Sequence, residues 1–154
     1  FPFGTSSTEV KVEEAKKAIE AGAEEIDMVI NVGKLLQGDL QFTENEITQI
    51  TKVCHERKAL LKVIVETCYL EEKNIADICA VIEKAGADFI KTSTGYGTRG
   101  ASAEDIKLFK KYLKKGTKIK ASGGIRTRAD ADMYIGLGCS RIGASSGIAI
   151  VSEQ

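Results

Sequence analysis

The chain has 154 residues, 43% hydrophobic and 29% charged, which is enough for one domain with a real core and unlike a disordered segment. Its 22 basic residues balance 22 acidic ones, so no global field favours nucleic acid or a membrane surface. No apolar run approaches the roughly 20 residues that cross a bilayer, and no stretch reads as a signal peptide.

In chain order, Thr8 to Ala21 reads as a helix with Val12, Ala15 and Ile19 on one face and Gly22 closing it. Glu25 to Asn31 reads as a buried strand around Ile26, Met28, Val29 and Ile30. Thr43 and Glu46 have capping-box spacing ahead of a helix carrying Ile47, Ile50 and Cys54. Leu60 to Thr67 is a strand, and Ile75, Ile78, Cys79 and Ile82 line the next helix, which ends before Gly86. The strand Asp88 to Thr92 follows, then a helix opened by Ser102 and Asp105 and bearing Ile106, Phe109 and Leu113. Lys118 to Ser122 is the next strand, Thr127 and Asp130 start another helix, and Ser140 to Gly143 is a short last strand. Ser145 to Val151 reads as one or two helical turns.

A faint repeat supports this parse. Ala21-Gly22-Ala23-Glu24, Ala85-Gly86-Ala87-Asp88 and Leu137-Gly138-Cys139-Ser140 each end a helix and launch a strand. Strand and helix alternating at this pace imply βαβ units and a five-stranded parallel sheet. The four cysteines, Cys54, Cys68, Cys79 and Cys139, and the single His55 are too scattered for a metal site. Reduced, mostly buried thiols in a cytoplasmic protein are the expectation. Cys54 and His55, adjacent on a helix, point apart and form no nucleophile–base pair.

Two lysines end two predicted strands, in Phe89-Ile90-Lys91-Thr92-Ser93-Thr94-Gly95 and Lys118-Ile119-Lys120-Ala121-Ser122-Gly123-Gly124-Ile125-Arg126. The C-terminal rim of a parallel sheet is where α/β folds collect their chemistry. Solvated strand-end lysines would fit the spacing as well, but a half-buried amine beside a second amine becomes a nucleophile suited to imine formation. Asp27 sits inside an apolar strand, and Lys62 and Glu66 interrupt another, so these polar groups are expected to find partners across a shared interior. Asp27 is read as a proton relay and Lys62 as a supporting group, with a purely structural ion-pair network as the alternative. Gly95, Gly123-Gly124 and Gly143-Ala144-Ser145-Ser146-Gly147 follow strands directly, with Thr94 and Arg126 beside them. Backbone N–H groups at such turns make an anion nest, and phosphate commonly lies after the last two strands of a barrel.

These segments, together with Phe1-Pro2-Phe3-Gly4, Thr8-Glu9-Val10-Lys11, Leu61-Lys62-Val63-Ile64-Val65-Glu66-Thr67 and Arg141-Ile142-Gly143-Ala144-Ser145-Ser146, resemble the 2-deoxyribose-5-phosphate aldolase family from Phe1 to about Val151. The resemblance implies a class I, metal- and cofactor-independent aldolase on a (β/α)8 TIM barrel. It implies reversible cleavage of 2-deoxy-D-ribose 5-phosphate to acetaldehyde and D-glyceraldehyde 3-phosphate. Lys91 matches the family's Schiff-base lysine, Lys120 the lysine that lowers its pKa, and Asp27 the relay acid. Thr94, Gly95, Gly123, Gly124, Arg126, Gly143, Ser145 and Ser146 match the phosphate grip.

Five of eight strands are expected here, residues 1–154 forming one partial barrel domain that lacks the family's first three strands. Such an arc has open edges and is expected to pair with a second copy, as a dimer, or with a missing N-terminal segment. A non-enzymatic phosphate-binding or assembly module is the alternative, and a transaldolase-like lyase with other acceptors a third reading. The expected partner is a phosphorylated sugar, with no nucleic acid and no membrane.

Overall fold

The computed structural model describes residues 1–152. Five strands, β1 (Glu25–Val29), β2 (Leu60–Ile64), β3 (Phe89–Lys91), β4 (Lys118–Ser122) and β5 (Arg141–Gly143), form one parallel sheet in sequence order. Between and around them run α1 (Thr8–Glu20), α2 (Val32–Leu36), α3 (Leu40–Glu56), α4 (Glu72–Ala85), α5 (Ala103–Tyr112), α6 (Arg128–Gly136) and α7 (Gly147–Ser152). Leu61, Val63, Ile90, Ile119 and Ala121 face the helices and pack with Ile47, Ile50, Ile78, Ile82, Ile106 and Phe109. The alternate residues Asp27, Lys62, Phe89, Lys91 and Lys120 face the other side, as period-two alternation requires.

The sheet curls. Arg141 on β5 pairs with Glu25 on β1, 116 residues away, across the concave face. The two edge strands are thus bridged by side chains, and the five strands make a half-barrel with its polar face inward.

Local chemistry explains most boundaries. Ser102 and Asp105 cap α5 reciprocally, as do Thr127 and Asp130 for α6. The glycines of the repeat, Gly22, Gly86 and Gly138, all have positive φ, the conformation that ends a helix and that other residues adopt only at a cost.

Three expectations are corrected. The helix expected from Thr43 begins earlier, at Leu40, because Asp39 is its cap and accepts from the Phe42 N–H at 3.1 Å. Thr43 instead donates its hydroxyl to Asp39 O at 3.0 Å, and Glu46 points into the core. The first strand stops at Val29 because Asn31 caps α2, a short helix whose residues carry no clear period. The second stops at Ile64 since Glu66 turns into a left-handed conformation, φ 54°, ahead of a 3-10 turn at Thr67–Tyr69.

Candidate active site

The parallel register builds the site. Asp27 pairs with Lys62 across β1 and β2, Lys91 with Lys120 across β3 and β4, and Lys120 with Arg141 across β4 and β5. All five side chains share the concave face. Asp27 is their hub: Lys91 Nζ donates to its Oδ2, Lys120 Nζ reaches the same oxygen at 3.3 Å, and Lys62 Nζ lies 2.8 Å from Oδ1. Lys62 also lies 3.0 Å from Glu25, which Arg141 grips at 2.7 and 3.1 Å.

Burial sharpens the electrostatics. Lys91 is 7% exposed and Lys62 5%, so three cations crowd one carboxylate away from bulk water. Burial alone would raise the Asp27 pKa, but hydrogen bonding to Lys62 and Lys91 and the charges of Lys91 and Lys120 hold it well below the usual carboxylate range. Burial, then the Lys91 charge, pulls the Lys120 amine below its ordinary value, against the opposing pull of Asp27. Arg141 and then Lys62 hold Glu25 down at about 2. An ionised Asp27 beside an amine that sheds its proton readily can accept, hold and return protons at a reacting carbonyl.

The rim loops complete the arrangement. Glu66, 4% exposed, accepts from the Thr94 N–H at 3.2 and 3.3 Å and from the Thr94 hydroxyl, and the same hydroxyl accepts from Tyr96 N–H. Thr94 therefore ties the loop that follows Lys91 to the end of β2. Gly123, at φ 83°, runs so close to the neighbouring loop that an added Cβ would sit 3.0 Å from Gly100 Cα and 3.7 Å from Gly95 Cα. Ser122 donates to Ser93 O at 2.7 Å. Gly95 and Gly123-Gly124 are thus brought together at the rim. Gly143 lies against Lys120, whose Cε would be 3.2 Å from a Cβ at that position.

Arg126 is exposed at the start of α6, with its N–H held by Asp130 at 3.1 Å. Ser145 is exposed and Ser146 half-buried just before α7.

One expected partnership fails. Lys62 meets Asp27 as anticipated, but Glu66 joins neither; the turn after Ile64 carries it out to Thr94. Sequence reading also missed the Glu25–Arg141 clamp, whose single available signal was that both residues share the inward alternation of Asp27 and Lys120. His55 pairs with Asp88 at 2.9 Å, a partner of which the sequence bears no sign, while Cys54 is buried and burial pushes its thiol up to about 11. Among the described residues no group of His, Cys, Asp or Glu is placed to hold a metal ion.

Comparison with known proteins gives a consistent picture. The profile of a family described as DeoC/LacD family aldolase matches residues 3–153. The deoxyribose-phosphate aldolase of Treponema denticola is 86% identical over all 154 residues, which span 71% of that protein. The enzyme of the same name from Thermococcus kodakarensis is 52% identical over 151 residues, and the chain covers 67% of its length. Among solved structures, an aldolase called QR15 superposes with a TM-score of 0.92 at 44% identity, 97% of this chain lying on 67% of that one. A deoxyribose phosphate aldolase from Aeropyrum pernix, described as having a unique tetrameric structure, gives 0.89 at 35% identity, covering 98% of this chain and 63% of that one.

Proposed function

The chain belongs to the DeoC/LacD aldolase family, and from that premise we propose that it carries the reacting groups for reversible aldol cleavage of 2-deoxy-D-ribose 5-phosphate through a Schiff base on Lys91. The observation that carries the reading is the buried pair Lys91 and Lys120 sharing one oxygen of Asp27. Neutral Lys91 Nζ attacks C1 of the open-chain aldehyde, and loss of water leaves an iminium. A base takes the proton of the C3 hydroxyl. The C2–C3 electron pair then flows into the iminium, releasing D-glyceraldehyde 3-phosphate and leaving an enamine on Lys91. Protonation at C2 and hydrolysis release acetaldehyde and regenerate the amine. Asp27, Lys120 and a water move the protons, and Lys62 holds the far oxygen of Asp27.

The phosphate is proposed to rest on the N–H groups of Gly95, Gly123, Gly124 and Gly143, with Ser145, Ser146, Thr94 and Arg126 around them. The close approach of Gly123 to Gly95 supports this, since it gathers the two glycine turns at one place on the rim. Four free thiols, three of them buried, support a cytoplasmic location, and no helix among the described residues is long and apolar enough to cross a membrane. The open edges of β1 and β5 support covering by a second copy or by further strands.

Intact mass after borohydride reduction with 2-deoxyribose 5-phosphate tests the imine. A permanent gain of mass, lost in Lys91→Ala while the fold persists, is expected; no gain in a folded sample would leave the phosphate-binding or assembly reading. Ser146→Asp puts a negative charge beside the proposed nest. It is expected to weaken the phosphorylated substrate far more than acetaldehyde, and equal losses would remove the grip from this turn.

A further inference from the structure

Glu25 and Arg141 face the reacting pair but take no part in the proposed reaction. Arg141 reaches Glu25 through two nitrogens, at 2.7 and 3.1 Å, closing β5 onto β1. Glu25 lies 3.0 Å from Lys62 Nζ, the same ammonium that lies 2.8 Å from Asp27 Oδ1. The other oxygen of Asp27 takes Lys91 and Lys120. Charges of alternating sign therefore run Arg141, Glu25, Lys62, Asp27 and then the lysine pair, and each link competes with the next.

We propose that Glu25 and Arg141 are positioning residues which, through Lys62, set how much of the Asp27 carboxylate is left to Lys91 and Lys120. The proposal rests on the reading of those two lysines as the reacting pair. Lys62 divides its attraction between Glu25 and Asp27. When Arg141 holds Glu25 firmly, Glu25 has less to offer Lys62, and Lys62 draws harder on Asp27. The pair then has less negative charge beside it, and Lys120 sheds its proton more easily.

The other groups around this space are few. Lys118 on β4 stands with Arg141 over the Phe89 ring, at 5.6 and 5.3 Å. From α1, Lys11 and Glu14 line the cleft along the β1 edge with Glu25 and Asp27, and Lys11 is committed to Glu46 and to Val29 O. Glu66 at the rim is committed to Thr94.

Opposite substitutions give opposite signs. Glu25→Gln removes an anion and leaves Lys62 wholly to Asp27, so both effects disfavour ammonium at the pair. Arg141→Gln removes a cation and frees Glu25 for Lys62, so both effects favour it. The expected shifts are about half to one pH unit, or three- to tenfold in the neutral amine fraction. A role limited to holding β5 against β1 would instead weaken both variants alike, without opposed titration.

The experiment follows the Lys120 amine by NMR of protein labelled at lysine Cε and, in parallel, the acid limb of borohydride trapping. Glu25→Gln is expected to move both to lower pH, Arg141→Gln to move both to higher pH, and the double variant to stay below the parent, because Arg141 reaches Lys62 only through Glu25. Circular dichroism verifies that each variant is folded. Unchanged midpoints, or shifts in one direction for both single variants, would overturn the proposal. The amine titration needs no substrate, so a parent that never traps an imine would defeat the proposed function while still leaving this coupling decided by the NMR.

Discussion

Lys120 is the residue at which reactivity and stability pull apart. It lies half-buried beside Lys91, and burial and that neighbour both lower its amine pKa. Near neutral pH a second ammonium at this spot disfavours the first, and replacing it by an apolar side chain removes the repulsion. Lys120→Leu is therefore expected to move the acid limb of activity to higher pH, because the repelling charge beside the reacting amine is gone. A variant with the parent pH profile would take Lys120 out of the tuning role. The same change is expected to leave thermal stability unaltered or raised by about 0.5–2 kcal/mol, as is common where a strained functional charge is removed. Asp27 keeps two closer partners, Lys62 and Lys91, so it is not orphaned. These residues were legible because a charged side chain in an apolar strand is conspicuous and period-two alternation assigns it a face. How Asp27 divides itself among three lysines was not legible, since that depends on strand stagger.

Among the elements, helix α1 is held against α3 and the end of β1 by a pair that local pattern hides. Lys11 donates to Glu46 at 2.7 Å and to Val29 O at 2.8 Å, while the other Glu46 oxygen accepts from Asn31 N–H at 3.1 Å. Glu46 is 0% exposed. Burial raises its pKa more than Lys11 lowers it, so the carboxylate is held here by partners rather than by solvation. Breaking such a pair leaves a buried charge unmatched. Lys11→Met or Glu46→Leu alone is expected to destabilise by about 3–5 kcal/mol in urea melts, and the double change by clearly less. Additive losses would mean that the two residues act separately. The capping-box spacing of Thr43 and Glu46 pointed to a helix start, yet Asp39 took that role and freed Glu46 for the core. Partners 35 residues apart leave no periodic trace, whereas Ser102–Asp105 and Thr127–Asp130, whose partners are three residues away, could be read directly.

For the whole molecule, the strand count and order followed from the alternation of patterns, because parallel neighbours need a helix between them. The consequence of five strands is two free edges, β1 and β5. The Glu25–Arg141 bridge ties those edges together through side chains on the concave face, and among the described residues no further strand pairs with the outer side of either. Apolar side chains stand beside the β5 edge: Ile148 is 84% exposed, Val151 75% and Ile135 56%. At the other end Phe3 and Val10 are 76% and 50% exposed. Unpaired edges flanked by apolar surface favour association. The 154-residue polypeptide, 16.6 kDa as a monomer, is therefore expected to run in multi-angle light scattering as a dimer or larger species, shifting with concentration in the micromolar range. Arg141→Gln loosens the bridge and is expected to promote larger species. A well-folded monomer across that range, with sharp near-ultraviolet circular dichroism, would show that the half-barrel tolerates its open edges; if that monomer also trapped the imine, covering of β1 and β5 would drop out as a requirement for chemistry.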